Sequence, residues 1–127
     1  MLHSRRNLLQ QVSSLGLLAV LAPFSATAQN TAVSSRIVLL GTQGGPNFNL
    51  SRGETANLLV VGTTPYLIDC GYGTLRALFQ TDVSFLDIGQ VFLTHLHDDH
   101  VADVVSLLGH QWTQGRVDPT TVHGPYG

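Results

Sequence analysis

Three histidines and two aspartates fill five of the six positions from His95 to His100, inside FLTHLHDDHVADVV, residues 92–105, with apolar runs on either side. The whole chain has six histidines, so half of them stand in this one stretch. Imidazole nitrogen and carboxylate oxygen together form a donor set for zinc, with manganese or iron as alternatives. The competing reading is a polar loop in which Asp98 or Asp99 caps the following helix and complements its dipole. Capping accounts for one aspartate and no histidine, and neighbouring imidazoles repel one another when protonated. The stretch therefore reads as a metal-binding loop.

The flanking elements must bring these donors together. QVFLTH, residues 90–95, reads as a buried strand, and VADVVSLLG, residues 101–109, as a helix that stops at its glycine. His95 and His97, two apart at a strand exit, leave on one face and can converge on one ion. Asp99 and His100, at the start of the helix, can reach a second. Such a site lies at the carboxyl end of a strand, where α/β sheets place their chemistry.

The other periodicities fit the same architecture. RIVLLG, residues 36–41, is a strand; residues 41–54 form a Gly- and Asn-rich loop; ANLLVVG and YLIDCG, residues 56–62 and 66–71, form a hairpin turning at 63–65. TLRALFQ, residues 74–80, has the spacing of a short amphipathic helix, and TTVHG, residues 120–124, is a last strand. The succession of strands and helices predicts an α/β fold.

The first 28 residues read as an export signal: Arg5 and Arg6, an apolar run at 15–24, and the small-residue stretch Ala26 to Ala28. SRRNLLQ, residues 4–10, resembles the twin-arginine export motif, with Gln10 where lysine is common. The apolar run is shorter than the roughly 20 residues that span a bilayer, so no membrane anchor is expected, and the expected location is periplasmic or secreted. Residues 29–35 read as a polar linker. The remaining 99 residues carry four arginines, no lysine and eight acids, a formal balance of −4. That charge is a poor match for phosphate backbones, and no nucleic-acid partner is expected. Cys70 is the only cysteine, so an internal disulfide is excluded; it reads as a buried structural thiol.

THLHDDH, residues 94–100, matches the His-x-His-x-Asp-His signature of the metallo-β-lactamase fold. LGTQGGP (40–46), YLIDCGYGT (66–74) and VHGPYG (122–127) stand in the order and approximate spacing of its ribonuclease Z and arylsulfatase-like branch, although GTQGGP has fewer glycines than is usual there. The chain thus resembles that branch over nearly all of its length beyond residue 28. The resemblance implies the N-terminal half of an αββα sandwich and two divalent ions. It implies His95 and His97 as ligands of the first ion and Asp99 and His100 of the second. Asp99 would also handle the proton of an attacking water, and the reaction would be hydrolysis by metal-bound hydroxide. Asp69 resembles the family's buried aspartate that orients the histidine loop from behind the ligands; a turn aspartate before Gly71 is the alternative.

The family completes its metal pair with a later histidine, a bridging aspartate and a final histidine, which do not follow here. His110 reads as a surface residue, His123 as a strand residue, and Asp103 as part of a solvated helix face. The chain is therefore expected to be an N-terminal piece of a longer enzyme or a truncated product, inactive by itself and with part of its apolar surface exposed. The expected function is exported hydrolysis of phosphodiesters, sulfate esters or related anionic esters. Lactone or β-lactam hydrolysis fits the flanking motifs less well, and a non-catalytic metal-binding remnant is the alternative of another class. A homodimer, in which a second copy lends ligands, is the expected protein partner.

Overall fold

The computed structural model describes residues 34–126. The expected export signal and all but the last two residues of the expected linker lie outside the described residues. Among the described residues no helix is long and apolar enough to cross a membrane.

Five strands form one sheet in chain order: β1 (Ser35–Gly41), β2 (Ala56–Val61), β3 (Thr64–Ile68), β4 (Gln90–Phe92) and β5 (Thr121–His123). The first three are antiparallel, while β4 runs parallel to β3 and β5 parallel to β4. Parallel neighbours need crossovers. Helix α1 (Thr74–Leu78) and a 3-10 turn (Phe85–Asp87) make the first; α2 (Asp98–Val101) and α3 (Val104–Thr113) make the second.

Both crossovers cover the same face. Alternation along each strand and the register across the sheet align Val38, Leu58, Leu67, Val91 and Val122 in one row. Leu75 and Leu78 of α1, Phe85 of the 3-10 turn and Leu107 of α3 join this side in the core. Leu58, Leu67, Leu78 and Leu107 are fully buried, each contributing about 1.5–3 kcal/mol of apolar burial. The other face carries Ile37, Leu39 and Phe92, which are 60%, 64% and 39% exposed. The expected exposed apolar surface is therefore present on the described residues.

The α/β expectation holds, with three local differences. The hairpin turns at Gly62 and Thr63, because Val61 pairs with Thr64 and Pro65 lies inside β3 opposite Val60. Proline is accommodated there because β4 pairs only with Leu67 and Ile68, leaving no partner on that side for the missing N–H. The expected helix at 101–109 is broken and then extended: Asp103 N–H donates to Cys70 O (2.9 Å), which interrupts it before α3. Gly109 faces open space and does not stop α3, which ends before Gly115 with φ 84°. Strand β4 ends at Phe92, not at His95.

Candidate metal centre

Adjacent and parallel, β3 and β4 release their chains at the same end of the sheet. Asp69 is the first residue after β3, at φ 60°, a left-handed conformation that aspartate tolerates better than most residues. Its N–H donates to Phe92 O (2.8 Å), and the Cys70 N–H donates to His100 O (2.7 Å). These bonds join the end of β3 to the histidine loop. The Asp69 side chain is buried, and its Oδ1 accepts the Thr94 N–H at 2.8 Å. Thr94 Oγ1 lies 3.0 and 2.9 Å from its two oxygens, and His100 Nδ1 lies 2.9 Å from Oδ2. Asp69 is thus no simple turn residue; it touches the loop at three points.

Beyond Thr94 the chain folds back so that His95, Asp99 and His100 each place a donor atom within 4.8 Å of the others. The His95 and His100 rings are 3.9 Å apart between centroids, and His100 Nε2 lies 3.4 Å from Asp99 Oδ2. Asp99 is buried and accepts the Gly45 N–H at 2.6 Å. That bond, helped by the nearby His100 and His95, holds its carboxyl below the usual carboxylate range. No side-chain hydrogen bond caps α2, so the capping reading does not describe this loop.

The grouping differs from the pairing expected on sequence. His97 stands 4.6 Å from His95 between ring centroids but falls outside the three-residue group. Because β4 stops at Phe92, strand alternation does not govern residues 95 and 97, and His95 turns toward Asp99 and His100 instead. Among the described residues this is the one such cluster. Two imidazoles and a carboxylate fit a divalent ion of the zinc type, and three protein ligands are the number at a catalytic zinc.

Long-range contacts around the loop were invisible in the sequence pattern. Gly45 is needed because an added Cβ would stand 2.8 Å from Asp99 Cγ. Glu54 is buried and accepts the Tyr72 N–H at 2.9 Å. Asp103 is neither a site residue nor a simply solvated one: its Oδ2 accepts the N–H groups of Gly73 (3.0 Å) and Leu75 (3.2 Å) at the start of α1. Cys70 is the buried thiol expected; burial first, and then the Asp103 charge, pushes it up to about 12. His110 is exposed and bonded to Ser106 O (2.8 Å), and His123 lies in β5, stacked on Phe92.

Comparison with solved structures gives the class. The chain superposes on the crystal structure of human tRNase Z, short form, with a TM-score of 0.65 and 32% identity over 74% of this chain and 36% of that one. It superposes on the metallo-β-lactamase fold protein YhfI from Bacillus subtilis with a TM-score of 0.63 and 26% identity, over 71% and 37%. The fold is that of the metallo-β-lactamases, seen over part of its extent. Ribonuclease Z of Picrophilus torridus is 34% identical over 96 residues, 76% of this chain and 31% of the relative. Residues 35–113 match the family model described as Anti-Pycsar protein Apyc1, and the chain belongs to that family. It spans between 19% and 31% of the length of such curated relatives.

Proposed function

We propose that the protein is a metal-dependent hydrolase of phosphodiester bonds whose ion is held by His95, Asp99 and His100. The convergence of these three donors at the carboxyl ends of β3 and β4 carries the reading. His95, Asp99 and His100 would hold a divalent ion whose positive charge would acidify a water and offset charge developing on an attacked ester. Asp99, whose carboxylate accepts the Gly45 N–H, suits ligation, and it is also the residue proposed to handle the proton of the attacking water. Asp69 orients His100 through its Nδ1. His97 is assigned as a further donor on its chemistry and its place beside His95. Zinc is the proposed metal. A second ion would use His97 together with ligands beyond the three-residue group.

Similarity to ribonuclease Z and tRNase Z favours a phosphodiester over a sulfate ester, lactone or β-lactam. They also weigh against the charge-based expectation of no nucleic-acid partner. The substrate is therefore proposed at the level of the phosphodiester bond, RNA included. The test uses a chain that carries the whole metallo-β-lactamase fold: hydrolysis of bis(p-nitrophenyl) phosphate by that zinc-loaded protein, abolished in His95→Ala with His100→Ala, is the expected result. Zinc uptake with no hydrolysis of this ester or of RNA would favour the non-catalytic metal-binding reading.

We further propose export in folded form, supported by Arg5 and Arg6 in SRRNLLQ. Replacing both arginines by lysine should retain the protein in the cytoplasm; unchanged periplasmic accumulation contradicts this.

A further inference from the structure

We propose that Thr94 is a positioning residue that extends the control of Asp69 from His100 to His95. The inference rests on the metal centre proposed above. A threonine hydroxyl has one proton to donate and lone pairs with which to accept. Thr94 Oγ1 lies 3.0 and 2.9 Å from the two oxygens of Asp69, and a carboxylate only accepts, so the proton points there. The same Oγ1 lies 3.1 Å from His95 Nδ1. With its own proton committed, the hydroxyl is the acceptor in that contact, and His95 Nδ1 must carry the hydrogen. His95 is thereby fixed as the Nδ1–H tautomer, and its Nε2 lone pair is the one offered to an ion.

His100 reaches the same state by a shorter route. Its Nδ1 stands 2.9 Å from Asp69 Oδ2 and 3.4 Å from Thr94 Oγ1, so its Nδ1–H donates to the carboxylate. Its Nε2 lies toward Asp99, 3.4 Å from Oδ2. One buried carboxylate thus sets two histidines, one directly and one through a hydroxyl. The Thr94 N–H, which donates to Asp69 Oδ1 at 2.8 Å, locks the intermediary in place. Partners of this kind behind a histidine ligand fix its tautomer and ring orientation.

The test uses the full chain in three forms: wild type, Thr94→Val, which keeps the shape and removes the hydroxyl, and Thr94→Ser, which keeps the hydroxyl. Long-range 1H–15N spectra of the metal-free protein read the His95 tautomer, and competition with a chromophoric chelator reads zinc affinity. The expected result is Nδ1–H at His95 in wild type and Thr94→Ser. Thr94→Val should give mixed tautomers and a loss of zinc affinity of roughly tenfold. Nε2–H at His95 in wild type overturns the proposal, as does Thr94→Val with wild-type tautomer and affinity. Should Thr94→Val not fold, the wild-type and serine spectra still decide it. A folded wild type that takes up no zinc overturns the metal centre, and the metal-free spectra then judge Thr94 separately.

Discussion

His100 Nδ1 meets Asp69 Oδ2 at 2.9 Å, across the gap between the end of β3 and the start of α2. The contact ties a candidate ligand to a buried carboxylate whose other partners are the backbone and hydroxyl of Thr94. Asp69→Asn replaces one acceptor oxygen by a donor that faces existing donors. Because asparagine also tolerates the left-handed backbone at this position, the fold should survive with a modest fall in melting temperature. Zinc affinity should fall roughly tenfold or more. A chelator titration beside a thermal melt checks both; unchanged affinity would remove Asp69 from the centre.

Two glycines approach Asp99 from different sides, and their alanine variants should separate site from fold. At Gly45 a Cβ would stand 2.8 Å from Asp99 Cγ, against a side chain. Gly45→Ala should therefore displace the carboxylate and weaken metal binding more than it weakens the fold. At Gly71 a Cβ would overlap the Asp99 backbone carbonyl, which cannot swing aside. Gly71→Ala should cost about 1–3 kcal/mol or more of stability by overpacking. Urea denaturation and metal titration of both variants make the comparison; equal stability losses would contradict it.

The candidate metal loop stood out in the sequence because such a loop needs an unusual density of one residue type within one short segment. Asp69 was singled out by its resemblance to the family's buried aspartate, not by local pattern. What organises those residues was not legible, because the contacts are distant in sequence: Gly45 reaches Asp99 across 54 positions, Thr94 reaches Asp69 across 25, and Asp103 reaches Gly73 across 30. Local periodicity carries no trace of such pairs. It also misplaced the end of β4, where Asp69 takes over the Thr94 N–H. The expected stop at Gly109 failed for a related reason: glycine weakens a helix without ending it, and the break came from Cys70 O capturing the Asp103 N–H.

Cys70 should be chemically silent in the folded protein. Burial pushes its thiol from 9.0 to about 12, and the thiolate is the reactive form. Iodoacetamide at pH 8 should leave the native chain unlabelled over a time in which the urea-unfolded chain labels fully, as read by intact mass. The same shift has a sign for stability. A group whose folded pKa is raised contributes fully below the unfolded value and loses that contribution as pH rises from about 9 through about 12. Rapid labelling of the native chain would contradict the burial described.

The most direct test of the central claim is the metal content of the purified full chain, by elemental analysis, beside a variant with His95, Asp99 and His100 all changed to alanine. About one zinc-like ion per chain is expected at the three-ligand group, absent from the variant, with circular dichroism showing both folded. Equal metal in both proteins, or none in a folded wild type, would contradict it.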